Sequence, residues 1–253
     1  LNLLIDKSRG KFICRMDADD IMHKDKILLQ IKFMLKNKLD FCGTWIKFFG
    51  NENKTIKYPV SDIDIRYFMV FGCPFAHPSI ILKKEILKKN KYVQTIAEDY
   101  HLWTRVAKSP LNYKFGNLPK VLLKYRRHYK QLSYDNTHII KDSIKISNEY
   151  SAFYINDKNI LEVFTSNNFG MYHKYEFLDF YKLFKSMILL AKKNMVSNDI
   201  LLRLIVSIFN RTNNTKFYNL IEIFNFLVRE KVSLFNMNIL KILIIFLLRK
   251  LNK

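Results

Sequence analysis

At 253 residues, 49% of them apolar and 26% charged, the chain can bury one good-sized core, or a core with an appendage. Its formal charge of +21 comes mostly from lysine, in a chain also crowded with Asn, Ile, Phe and Tyr. That bias is the mark of A/T-rich coding, and no RNA- or DNA-binding motif accompanies it. Specific nucleic-acid binding is therefore not expected, although so basic a surface is drawn to phosphate-bearing or anionic-lipid partners. Cys14, Cys42 and Cys73 are odd in number, widely spaced and free of C-x-x-C, which argues against a disulfide framework or a zinc site and fits a reducing cytoplasm.

Residues 2 to 9 read as the end of a helix closed at Gly10, and with Leu1 in first position a preceding segment is expected. A buried strand, Lys11 to Met16, follows and runs directly into Asp17-Ala18-Asp19-Asp20. A strand leaving a sheet can hold Asp17 and Asp19 on one side through its period of two, so that two carboxylates converge on a divalent cation. Taken alone, the same residues read first as a solvated loop with helix-capping aspartates.

Ile27, Leu28, Ile31, Met34 and Leu35 repeat at helical spacing, and Phe41 to Phe49 is a β run rich in aromatic and β-branched residues. Ser61-Asp62-Ile63-Asp64 has the form of a capping box and predicts a helix. The loop Gly72 to Pro78, a strand Ser79 to Leu82, and a Lys-rich helix come next. Glu98-Asp99 opens an amphipathic segment carrying Leu102, Trp103 and Val106, and two strands are expected near Tyr113 to Phe115 and Val121 to Tyr125. Alternating strands and helices predict an α/β sheet with helices on both faces.

From about Ser133 proline disappears and helical spacing continues, with Phe177, Phe180, Phe184, Met187, Ile188 and Ala191 on one face. Domains are therefore expected at 1–133 and 134–253, the second all-helical. The apolar run in Met237 to Leu251 is too short to cross a bilayer but suits a basic helix lying on a membrane surface.

Four landmarks in order, Arg15-Met16-Asp17-Ala18-Asp19-Asp20, His77-Pro78-Ser79, Ala97-Glu98-Asp99-Tyr100-His101-Leu102-Trp103 and Tyr125 to Ser133, resemble the family 2 glycosyltransferases of GT-A fold, in particular those that build bacterial capsule or lipopolysaccharide. The resemblance covers roughly residues 1 to 133. It implies a Rossmann-related mixed sheet and an inverting, metal-dependent transfer from a nucleotide-sugar donor, with a UDP-sugar as first expectation, to a glycan or lipid-linked acceptor. It implies Mn²⁺ or Mg²⁺ on Asp19 and Asp17. It places Asp99 as general base supported by Glu98, and Arg15, Asp17, Arg126 and His128 around the donor diphosphate. His77, Trp103, Gln131 and Ser133 fall to the acceptor or its loops, although Trp103 as a single large aromatic on a helix reads first as core, and Arg127 is expected to face solvent. Asp20 would cap the following helix or orient its neighbours. The strands that hold base and ribose in this family have no counterpart here, so an N-terminally truncated domain is expected, at the cytoplasmic side and in peripheral contact with the membrane.

Two other classes compete. A haloacid dehalogenase-type phosphohydrolase also places D-x-D after a strand, but Ile21 stands where Thr or Val is wanted. A non-catalytic membrane-surface or interaction protein is motivated by the charge and the last helix.

Overall fold

The computed structural model describes residues 1–129, 131, 137–166 and 177–209. They fall into two compact units, 1–156 and 157–253. The helix Thr137–Tyr154 lies within the first unit, so that unit extends one helix past residue 133.

Helix α1 (Asn2–Lys7) leads into β1 (Phe12–Cys14), and a two-residue strand β2 (Ile21–Met22) precedes α2 (Lys26–Lys36). Then come β3 (Phe41–Gly50), β4 (Thr55–Ile56) and α3 (Asp62–Phe68). A single turn of 3-10 helix at His77–Ser79 leads to β5 (Ile81–Lys83), α4 (Lys84–Lys89), α5 (Glu98–Ala107), β6 (Phe115–Arg127) and α6 (Thr137–Tyr154). The strand order is β1-β5-β3-β6-β2, with β4 added to β3. Only β3 and β6 run parallel and the other pairs are antiparallel, so the sheet is mixed.

Successive residues of β3 show how this sheet acquires two covered faces. Cys42 packs with Met34 of α2, Ile81 and Leu122, whereas Phe41 turns the other way and meets Phe75, Phe115 and Trp103 of α5 at ring distances of 4.5, 5.5 and 4.6 Å. Trp103 is wholly enclosed, and its edge-on contacts with Phe41 and His77 make it the centre of this layer. Arg66 of α3 joins the same face, its guanidinium lying 5.0 Å over Phe115 and donating to the Ala107 and Tyr113 carbonyls.

The expected pair of strands near residues 113–125 is one long strand, β6. Its register against β3 slips between Leu118 and Val121, where Pro119 offers no N–H to the ladder. Two apolar runs separated by a proline thus belong to one bulged strand. Ser61 is the N-cap of α3, its Oγ accepting the Asp64 N–H at 3.2 Å. Helix α6 closes the first unit against α5, and its Asp142 accepts the Ile96 N–H at 2.9 Å.

In the second unit, α8 (Phe177–Lys193) packs on α7 (Lys158–Ser166) and on α9 (Asn198–Phe209). Phe184, Met187, Ile188 and Ala191 are buried, while Lys182, Lys185 and Lys192 are exposed, as their spacing predicts. Among the described residues no helix is long and apolar enough to cross a membrane. Met237 to Leu251 lies outside the described residues.

Candidate active site

Strand β1 ends at Cys14, so Asp17 to Asp20 do not extend a strand. They form a turn in which the Asp20 N–H bonds to the Asp17 carbonyl at 3.3 Å. The turn, rather than strand period, therefore presents the acidic side chains. Arg15 forms an ion pair with Asp17. Asp19 stands 42% exposed with its Oδ2 3.5 Å from Nε2 of His128.

Asp20 does not cap α2, which begins at Lys26 behind Asp25. Instead its Oδ1 accepts the Arg126 N–H at 2.8 Å, while Arg126 Nε donates to the Asp19 carbonyl at 2.9 Å. The Arg126 guanidinium lies 4.5 Å over Phe49. Gln131 fixes the turn beyond β6 by accepting the His128 N–H at 3.3 Å and donating to the Arg126 carbonyl. Arg127, expected to face solvent, pairs with Glu52 at 3.0 Å and its side chain is 14% exposed. Ser133 lies outside the described residues.

Asp99 opens α5 beside Glu98, and its Oδ1 accepts the Tyr100 N–H at 2.7 Å. Burial pushes its pKa up, with the Tyr100 N–H and the Arg15 charge opposing and Glu98 adding to the rise. Cys73 Sγ, 3.8 Å from Asp99 Oδ2, is a neighbour that sequence spacing did not reveal. Tyr92 is another. Its hydroxyl shares a hydrogen bond of 2.8 Å with His77 Nε2, and nothing in the surrounding lysine-rich sequence marks it. Burial, then Arg15, pushes the His77 pKa down to about 3, so the imidazole is neutral.

Arg15 is thus common to both halves of the site. It pairs with Asp17 and its positive charge acts on His77, Tyr92 and Asp99. Arg15, Asp17 and Tyr92 line one cleft of 420 Å³, together with apolar side chains of α1 and β5. Trp103 cannot touch a ligand from its enclosed position; it supports His77 and Tyr92 from beneath at ring distances of 5.9 and 6.3 Å.

Among the described residues no group of three or more His, Cys, Asp and Glu side chains is gathered for a metal. The donor set nevertheless fits Mg²⁺ or Mn²⁺, because such ions are commonly held by one or two carboxylates and completed by water and phosphate. Asp17 and Asp19 are 35% and 42% exposed on one turn, and Asp20 Oδ2 beside them is buried without a hydrogen-bond partner. Burial pushes the Asp20 pKa up to about 6, with the neighbouring Asp17 and Asp19 charges adding to the rise and the Arg126 N–H opposing it. Added positive charge at the turn relieves that crowding.

Residues 1–93 match the model of glycosyl transferase family 2. The chain is 38% identical over 136 residues to the O-antigen biosynthesis glycosyltransferase WbnJ of Escherichia coli, covering 51% of this chain and 53% of that protein. It is 36% identical over 134 residues to glycosyltransferase MJ1057 of Methanocaldococcus jannaschii, covering 49% and 45%. To the amylovoran biosynthesis glycosyltransferase AmsE of Erwinia amylovora it is 29% identical over 131 residues, covering 50% and 48%. The chain spans about half the length of these curated relatives. By these matches residues 1–93 are similar to glycosyl transferase family 2.

Proposed function

We propose that the chain carries the donor-metal and general-base part of an inverting glycosyltransferase that moves a sugar from a nucleotide sugar to an acceptor hydroxyl in surface-polysaccharide synthesis. The observation that carries this reading is the joining of three sequence-distant segments. Asp20 accepts the Arg126 N–H, Asp19 faces His128 at 3.5 Å, and Arg15, two residues from Asp17, exerts its charge on Asp99. The names of WbnJ and AmsE, O-antigen and amylovoran synthesis, support a polysaccharide product.

Asp19 and Asp17 would hold Mn²⁺ or Mg²⁺, which neutralises the charge of a departing diphosphate. Arg126 and His128 stand beside them and would donate to the same phosphates. Arg15 balances Asp17, and its charge opposes the rise of the Asp99 pKa. Asp99 takes the proton of the acceptor hydroxyl, a contribution of about 10²- to 10⁴-fold. Its burial favours that role, because a carboxylate held with a raised pKa is the stronger base. Glu98, beside it in the first turn of α5, adds to that rise. Neutral His77 and the Tyr92 hydroxyl offer hydrogen bonds to sugar hydroxyls rather than charge. A cytoplasmic location at the membrane surface, where lipid-linked acceptors are presented, belongs to the same proposal.

Nucleotide release from a panel of UDP-, GDP- and dTDP-sugars, with Mn²⁺ or Mg²⁺ and with Asp19→Ala as control, tests the reading. Metal-dependent release that Asp19→Ala removes supports it. Release indifferent to both metal and Asp19 would overturn it, and no release from any donor would favour the non-catalytic reading.

A further inference from the structure

We propose that Cys14 is a modification site, an exposed thiol seated on a buried lysine that exchanges readily with small disulfides. Cys14 ends β1 and is exposed, whereas Lys26, the first residue of α2, is wholly enclosed. Lys26 Nζ donates to Cys14 Sγ at 3.4 Å, and no carboxylate of the described residues forms an ion pair with it. An enclosed ammonium without a carboxylate is costly, and burial accordingly pushes the Lys26 pKa down. The groups that push it back are sulfurs, Cys14 of β1 first and then Cys42 of β3. Among the described residues, the side-chain hydrogen bond of this lysine thus goes to a thiol that reaches solvent. Its place is explained if it serves that thiol.

The other two cysteines give an internal comparison. Cys42 is enclosed between β3 and α2, and burial pushes its thiol up to about 11. Cys73 is turned toward Asp99, and burial followed by that carboxylate pushes its thiol well above the ordinary value. Attack on a disulfide needs both access and the anionic sulfur, which a cationic donor stabilises. Of the three cysteines, Cys14 alone combines exposure with a cation at sulfur.

In the exchange, Cys14 sulfur attacks one sulfur of a small disulfide. A Cys14 S–S bond forms as the original S–S bond breaks, the departing thiolate leaves with the electron pair, and the thiol proton passes to water. The disulfide is the sole oxidant, and excess thiol reverses the step. The adduct shares the 420 Å³ cleft with Arg15, Asp17 and Tyr92, so its bulk stands beside the acidic turn.

The test treats the reduced full chain with a chromogenic aryl disulfide near neutral pH and locates labels by peptide mass spectrometry. Cys14 is expected to label at least about tenfold faster than Cys42 or Cys73, and faster than the same cysteine in a free peptide of residues 11–17. Lys26→Met is expected to slow Cys14 about fivefold while Cys42 stays protected, that protection reporting an intact fold. Should Lys26→Met expose Cys42, the comparison of the wild-type chain with the free peptide decides. Cys14 labelling no faster than the peptide overturns the proposal, as does an unchanged rate in a folded Lys26→Met.

Discussion

Asp20 Oδ1 accepts the backbone N–H of Arg126 at 2.8 Å across 106 residues of chain, so the acidic turn after β1 and the far end of β6 are one assembly. Neighbouring Asp19 is doubly involved, its carbonyl accepting Arg126 Nε and its carboxylate facing His128. In the proposed reaction this assembly handles the leaving group. The Arg15 charge connects it to Asp99.

Asp20→Ala leaves the Arg126 N–H without its acceptor and frees the end of β6. Asp20→Asn retains an acceptor oxygen. An orphaned donor costs about 1–3 kcal/mol, so Asp20→Ala should raise KM for the nucleotide sugar about tenfold while Asp20→Asn stays near wild type. Steady-state kinetics of both variants checks this. Equal defects in the two would mean that the carboxylate charge, not the tether, matters.

The pH dependence follows from the raised pKa of Asp99. A carboxyl whose pKa is raised loses its base form at a higher pH than an ordinary aspartate, whose value is 3.8. The acidic limb of kcat/KM should therefore lie above that value. Arg15 opposes the rise, so Arg15→Met should move the limb further up while lowering kcat/KM overall. A limb that moves down on removal of Arg15 would show that another group controls it.

Gly43 of β3 lies against Asn117 of β6, whose Nδ2 donates to the carbonyls of Pro59 at 2.6 Å and Pro74 at 3.2 Å. A β-carbon at Gly43 would overlap Asn117 Oδ1 and sit 2.8 Å from Phe75, in the layer that supports His77. Gly43→Ala should destabilise the first unit by about 1–3 kcal/mol through overpacking. A lowered denaturant midpoint with unchanged slope would register it. An unshifted midpoint would mean that Asn117 and Phe75 yield without cost.

How much of this is legible in the sequence differs from element to element. The helices α2, α3, α5 and α8 announce themselves because apolar spacing and capping residues are local properties. The strand from Phe41 announces itself too, through its run of aromatic and β-branched residues. The strand β2 and the single strand β6 do not, since a two-residue pairing and a bulge over Pro119 exist only through their partners. In the site, Asp17, Asp19, Asp99, Arg126 and His128 stand out as charged motifs at turns and element ends. Tyr92, Cys73 and the tether role of Asp20 do not, because each depends on a contact between segments far apart in the chain. Arg127 shows the converse, since its place in the motif suggests solvent contact whereas Glu52 holds it. Trp103 reads as core from its type, and an aromatic layer encloses it.

The central claim is that the acidic turn and Asp99 serve one transfer reaction, and the most direct measurement is nucleotide release from sugar nucleotides in the presence of Mn²⁺ or Mg²⁺, wild type against Asp99→Asn. Asn keeps the shape of the side chain and an oxygen for the Tyr100 N–H but cannot take a proton. The predicted result is metal-dependent release in the wild type that falls about 10²- to 10⁴-fold in Asp99→Asn, with donor affinity little changed. Release that continues undiminished in Asp99→Asn would contradict it.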